Sequence, residues 1–102
     1  MEFGDIQVLN AKIKFSYLGI EDNKLCYQLG FEIQGGTSIT TNKYYVHNTV
    51  FIEQILNVLE VRSWEELPRK FARIQVDTSN NGKKIIAIGN LIENKWVRYG
   101  QE

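Results

Sequence analysis

Cysteine, proline and histidine are almost missing from this 102-residue chain, with one of each. A single cysteine, Cys26, excludes a disulfide within the chain. Cys26 and His47 together fall short of the ligand set that a structural zinc site needs. One proline, Pro68, and eight glycines leave no room for a proline-rich linker or a collagen repeat. No apolar run approaches the ~18 residues of a membrane span. The first ten residues, MEFGDIQVLN, lack the basic-then-apolar order of a signal peptide. The expected setting is the cytoplasm, and the expected organisation is one domain over residues 1–102. Cys26 sits inside an alternating apolar run and reads as a buried thiol.

Catalytic signatures are missing as well. His47 has no neighbouring nucleophile, no Gly-x-Ser-x-Gly occurs, and Gly35-Gly36 alone is not a phosphate loop. Glu21-Asp22 and Glu65-Glu66 are adjacent pairs, and adjacent residues do not face each other across a substrate. The first pair lies in a turn, and the second lies where acids complement a helix dipole. The chain reads as non-enzymatic, with no metal or cofactor. Net charge is zero but unevenly spread: residues 1–60 hold four bases against seven acids, and residues 61–102 hold eight against five. A DNA mimic would be strongly acidic and a dedicated DNA binder strongly basic, so nucleic acid stands second to protein as the expected partner.

What is present is clear periodicity. Residues 13–17, IKFSY, alternate and predict a strand with Ile13, Phe15 and Tyr17 on one face and Lys14 and Ser16 on the wet one. Residues 25–33, LCYQLGFEI, repeat the pattern, with Leu25, Tyr27, Leu29, Phe31 and Ile33 opposite Cys26, Gln28, Gly30 and Glu32. Between them, GIEDNK is turn chemistry: Gly19 tolerates positive φ, and Asp22 and Asn23 can bond their own backbone. An antiparallel hairpin follows. QGGTS breaks the pattern, and residues 39–47, ITTNKYYVH, predict a third strand with Tyr44 and Tyr45 on opposite faces, at least one of them exposed. Phe51, Ile52, Ile55, Leu56 and Leu59 then recur at helical spacing behind an N-cap at Asn48 or Thr49. At ~11 residues this helix must pack on the sheet.

The junction SWEELP is written for a change of direction. Ser63 with Glu66 has the spacing of a capping box, and Pro68 disfavours helical geometry at Leu67. A one-turn helix is predicted, anchored in the core by Trp64 and Leu67. Alternation resumes with Phe71, Arg73 and Gln75 against Ala72, Ile74 and Val76. Asn81-Gly82 predicts a hairpin into a fifth strand, IIAIGNLI, residues 85–92. The tail adds Trp96, Val97 and Tyr99 as a short last strand. The expected fold is α+β: an antiparallel sheet of about five strands packed on one main helix, in the order β-β-β-α-(short helix)-β-β. A small barrel-like sheet capped by the helix is the alternative.

Recognition types are enriched among Tyr44, Tyr45, Trp96, Arg98 and Tyr99. Aromatic and arginine side chains also suit nucleobase stacking. With the basic residues of the C-terminal half, the candidate partner contacts are Tyr44, Tyr45, Arg69, Lys70, Lys83, Lys84, Trp96 and Arg98. IIAIGNLI is apolar on both faces, and one helix covers only one side of a sheet. The other side is to be covered by the C-terminal segment, by sheet curvature or by another copy of the chain; a homodimer is the expectation, with Ile86, Ile88 or Trp96 at or near its contact.

Taken together, YLGIEDNKLCYQLGFEIQGG, FIEQILNVLEVRSWEELPRKFARI and IIAIGNLIENKWV resemble a family of small proteins of tailed bacteriophages and prophages. The shared pattern is a Leu-Gly-x-Glu-Asp turn, a glycine-rich stretch, an apolar helix, Ser-Trp-Glu-Glu-Leu-Pro, Ile-Gly-Asn and Lys-Trp. It spans about residues 17 to 97. The family's longer glycine run is reduced here to Gly35 and Gly36. The resemblance implies an accessory protein acting in the host cell, of a kind that often inhibits host defence. Such inhibition works by contact with a defence protein such as a CRISPR effector, or by sequestering a nucleotide messenger. A nucleic-acid-binding accessory of phage replication or recombination is the alternative.

Overall fold

A computed structural model describes residues 5–47, 49–79 and 82–99. Its elements are β1 (Ile6–Glu21), β2 (Lys24–Ile33), β3 (Ser38–Thr40), β4 (Tyr44–Tyr45), α1 (Val50–Leu59), a 3-10 turn (Trp64–Glu66), β5 (Phe71–Asp77), β6 (Lys84–Gly89) and β7 (Trp96–Arg98). The class is the expected α+β, but among the described residues the antiparallel sheet has seven strands where about five are expected. Their order is β3-β2-β1-β5-β6-β7, with β4 also paired to β2. The single third strand expected over 39–47 is two short ones, both on the free edge of β2. The fifth strand ends at Gly89. Leu91 and Ile92, expected inside it, lie exposed in the following loop.

β1 is the spine. Ile6–Lys12 pair with β5, and Ala11–Glu21 pair with β2, so one 16-residue strand belongs to both halves of the sheet. The change occurs at a bulge: Ile13 opposes Phe31 and Phe15 opposes Gly30, leaving Lys14 as an extra residue. A bulge shifts the alternation by one. Ile13 points into the core, whereas Phe15 and Tyr17, expected beside it, are on the opposite face. The hairpin tip is Asp22-Asn23, with φ of 55° and 64°, the signature of a two-residue type I′ turn. Gly19 is a strand residue paired with Cys26 and not part of the turn.

The inner face carries the core. Ile13, Leu29, Phe31, Ile74, Val76 and Ile88 meet Phe51, Ile55 and Leu59 of α1, which turns its apolar side inward as its period predicts. Asn48 lies outside the described residues. Glu60 ends α1 in the left-handed region: its N–H donates to Asn57 O, and the N–H of Val61 donates to Leu56 O, a Schellman arrangement without glycine. Asn90 is buried below this end. Its Nδ2 donates to Val58 O at 2.9 Å, and its Oδ1 accepts from the amides of Ile92 and Glu93.

An aromatic cluster closes the fold. Tyr27 of β2 lies 5.7 Å from Tyr44, 5.9 Å from Phe51, 5.8 Å from Trp64 and 6.3 Å from Tyr99 between ring centroids. Tyr44 and Tyr99 stack at 4.6 Å. Tyr44 belongs to one edge of the sheet, and Tyr99 follows the strand at the other. The sheet therefore curls around α1 until its two edges meet through side chains.

The junction has the expected role by different bonds. Trp64 and Leu67 are buried as expected. Ser63 makes no side-chain bond to the backbone, and its Oγ reaches only the Glu66 carboxylate at 3.3 Å, so the capping box is not formed. Leu67 keeps helical dihedrals despite Pro68. The break falls at Arg69, whose φ of 77°, with the Lys70 N–H donating to Leu67 O, makes Leu67–Lys70 a type II turn with proline in its favoured place. Arg69 N–H then donates to Ile13 O at 2.7 Å, and Ile13 N–H donates to Lys70 O at 2.9 Å, seating the chain on β1 at the bulge.

These contacts separate two substitutions. Trp64→Ala removes a buried anchor and is expected to lower stability by about 3–5 kcal/mol. Ser63→Ala removes a hydroxyl that meets only a solvated carboxylate and should stay within about 0.5 kcal/mol. Guanidinium denaturation of both variants checks this; a cost for Ser63→Ala near that of a lost cap would contradict the geometry.

Candidate recognition face

The face of the sheet turned away from α1 collects the exposed aromatic and basic side chains. Strand alternation and register settle its members. From β1 come Asn10, Lys12, Phe15 and Tyr17; from β5, Phe71, Arg73 and Gln75; from β7, Trp96 and Arg98; from β4, Tyr45. Register makes them neighbours. Lys12 opposes Phe71, Asn10 opposes Arg73, Arg73 opposes Gly89, and Gly89 opposes Trp96. The next row runs Val8, Gln75, Ala87, Arg98.

Each of the four close cation–ring pairs found among the described residues lies on this face. Lys12 Nζ is 5.9 Å from the centroid of Phe71, Lys24 Nζ is 5.2 Å from Tyr45, Lys43 Nζ is 5.8 Å from Tyr17, and the Arg73 guanidinium is 4.9 Å from Trp96. Arg73 is held in place by donating to the carbonyls of Asn90 and Glu93 at 2.7 and 2.8 Å, and Arg98 donates to Gln75 Oε1 at 2.7 Å. Carbonyl acceptors orient a guanidinium without cancelling its charge. Among the described residues, Lys12, Lys24, Arg73 and Arg98 have no carboxylate within 4 Å.

Three glycines shape the same face. A methyl group built on Gly30 would stand 2.1 Å from Cε2 of Phe15. One on Gly89 would stand 2.6 Å from Cε3 of Trp96, and one on Gly19 would stand 2.6 Å from Oη of Tyr17. Each ring occupies the space above a glycine and lies down against the sheet. Trp96 is thus the cover that β6 needs on its second face, beside the buried Gly89. Of the possible covers for that face, the C-terminal segment supplies this one. Ile88 faces the core and is buried, and Ile86 is half-buried at a bulge in the β5–β6 pairing.

The other sequence-derived candidates are dispersed. Tyr45 is on this face, as are Trp96 and Arg98. Tyr44 is half-buried in the inner aromatic cluster. Arg69 and Lys70 border a cleft of about 320 Å³ with Phe71, Leu91 and Ile92. Lys83 and Lys84 border a polar pocket of about 180 Å³ with Thr40, Thr41 and Tyr44 at the approach of the two sheet edges. Members of the cation–ring pairs and open rings not singled out as partner contacts are Lys12, Phe15, Tyr17, Lys24, Lys43, Phe71 and Arg73. Alternation already put Phe71 and Arg73 opposite the buried side of β5, whereas Phe15 depended on the bulge. Cys26 is a buried free thiol, as expected.

No protein-family model matches the chain, and neither does any curated protein. No helix among the described residues is long and apolar enough to cross a membrane.

At the hairpin end of this face, Lys43 Nζ meets Glu21 at 2.9 Å. The lysine, with the Tyr17 hydroxyl second, holds the Glu21 carboxyl below its usual range. Glu21 in turn raises both Lys43 and the Tyr17 phenol. A depressed carboxylate stabilises the fold above its unfolded pKa and loses that contribution as pH falls through its native one. The group is solvent-exposed, so the effect on stability is small and screened by salt. Carboxyl-carbon NMR titration is expected to show Glu21 ionising at lower pH than free glutamate, and Lys43→Met moving it upward. No movement would remove the pair from this face.

Proposed function

We propose that this protein is a non-enzymatic, nucleic-acid-binding accessory protein that works through the outer face of its sheet. The observation that carries the reading is the pairing of a cation with Phe71, Tyr45, Tyr17 and Trp96 on one face. Among the described residues, four of that face's cations make no ion pair within 4 Å; Lys12 and Lys24 have Glu32 and Glu21 as cross-strand neighbours, and Arg73 and Arg98 meet only uncharged acceptors. Zero net charge, even divided between the two halves of the sequence, does not describe the charge on one face of the sheet. A polyanion responds to the local field of the surface that it meets. The resemblance to phage accessory proteins is compatible with such a role inside the host cell.

A second reading, inhibition of a host defence protein by direct contact, is favoured by a separate observation. Arg73 and Arg98 are pre-positioned by acceptors of their own chain, as suits arginines at a protein interface.

Fluorescence anisotropy with labelled oligonucleotides tests the first reading. Binding is expected in the range of about 1–100 µM near physiological salt. A log-log plot against salt should fall by about 0.7–0.9 per phosphate contacted. Absence of binding to any oligonucleotide at low salt overturns it. Retention of a bacterial protein by the wild type but not by Arg98→Ala would then establish the second reading.

A further inference from the structure

We infer that the ligand of the outer face is a single strand, whose bases stack on that face's open rings, Phe15, Phe71 and Tyr45, while the neighbouring cations take its phosphates. The inference rests on the nucleic-acid reading above and narrows it. Phe15, Phe71 and Tyr45 are 42%, 54% and 42% exposed, unusually open for such large apolar rings on a domain that has a well-filled core. For Phe15, and for the half-buried Trp96, the setting shows which surface is open. Phe15 lies over Gly30 with three of its ring atoms 2.1–2.9 Å from where a Cβ would be, and Trp96 lies over Gly89 with three at 2.6–2.8 Å. Near-equal distances from several atoms of one ring to one point above the backbone mean that the ring is laid along the sheet. A ring in that posture turns a π-face outward, whereas a ring standing off the sheet would present an edge.

A π-face is the complement of an unpaired base. In a duplex the base faces are stacked within the helix, so a duplex meets this surface only through its phosphates. A single strand uses both features. Stacking is sequence-tolerant because every base has a π-face, so no strong sequence preference is expected. Rings and cations recur both along a strand and across neighbouring strands. Phe15 and Tyr17 are two positions apart on β1, roughly 6.8 Å, and Lys12 and Phe71 are cross-strand neighbours on adjacent strands about 4.8 Å apart. Charge complementarity selects the occupant: Arg73 and Arg98 meet only uncharged oxygen acceptors, with no carboxylate within 4 Å among the described residues, and Lys12 stands between them and Glu32, its cross-strand neighbour. An apolar partner segment would bring no counter-charge to the two arginines.

The test compares the full-length protein's affinity for a labelled 12-nucleotide single strand, in thymine and adenine versions, with that for a hairpin duplex of the same charge, at matched salt. The expected result is at least 10-fold tighter binding of both single strands. Phe71→Ala and Tyr45→Ala, both at half-exposed positions, should each weaken single-strand binding by about 5- to 100-fold. They should leave the salt slope and the thermal midpoint nearly unchanged. Lys12→Gln should instead reduce the slope by about 0.7. Gly30→Ala, which displaces the Phe15 ring while keeping ring and charge, should weaken single-strand binding and leave duplex binding alone; circular dichroism verifies its fold. Equal or tighter duplex binding, with Phe71→Ala and Tyr45→Ala neutral, overturns this inference and leaves the nucleic-acid reading standing. No binding to any oligonucleotide overturns both.

Discussion

At Lys14, strand β1 carries one residue more than its partner, and most of what is distinctive about the molecule follows from that insertion. Up to Ile13 the odd-numbered residues of β1 point into the core; from Phe15 they point away from it. A bulge also bends a strand and increases its twist. Here it lies where β1 passes from pairing with β5 to pairing with β2 alone, and where Arg69 and Lys70 bond the backbone of Ile13. The same residue therefore marks the bend between the half-sheets, the seat of the junction after α1, and the transfer of Phe15 and Tyr17 to the outer face. Without it those two rings would crowd against Trp64 and Tyr27, and the outer face would keep only the rings of β4, β5 and β7.

The bend is made permanent on the inner side by Tyr27. Its ring touches residues from β4, α1, the 3-10 turn and the end of β7, four segments distant in sequence. Aromatic pairs of this kind contribute about 0.5–1.5 kcal/mol beyond their buried area. Their larger effect is geometric. Tyr44 and Tyr99 bring opposite edges of the sheet together, so side chains of β4 and of the end of β7 add to the few ladder bonds that those short strands make. A curled sheet with an internal helix leaves one continuous outer face, and the candidate recognition residues have nowhere else to gather.

Periodicity made a good part of this legible. The hairpin of β1 and β2, the inner face of β2, the helix and the alternation of β5 each rest on several residues that agree, and each is present. The failures lie where a single residue outweighs the pattern. Nothing in IKFSY distinguishes a regular strand from a bulged one, because both alternate locally. In IIAIGNLI, Asn90 ends the strand by turning its amide to Val58 O and its carbonyl oxygen to the next loop, long-range bonds that composition does not announce. At Pro68 the local rule named the wrong residue: Leu67 stays helical because the turn that follows uses the proline at its first corner and places positive φ on Arg69. The candidate contacts on Tyr45, Trp96 and Arg98 were legible by residue type. That they belong to one face with Phe15, Phe71 and Arg73 was not, since strand order is not written in any one segment.

Stability alone does not account for the composition of that face. Glycine within a strand costs roughly 0.5–1 kcal/mol relative to alanine, and Gly30 and Gly89 are both in strands. Exposed cation–ring pairs return only about 0.5–1 kcal/mol each. Threonines and alternating charges at the same positions would serve a solvated sheet face as well, with less apolar surface in water and less repulsion between lysines and arginines. Rings covering glycines do restore part of the lost packing, but they do so at positions where no ring was needed. Natural sequences depart from local rules of this kind mainly at functional sites. On this chain the departures coincide: the glycines, the exposed rings and two arginines that have no carboxylate partner among the described residues share one face, and together they offer apolar surfaces beside positive charge. That is a poor way to finish a sheet and a suitable way to hold a flexible anion that carries rings of its own.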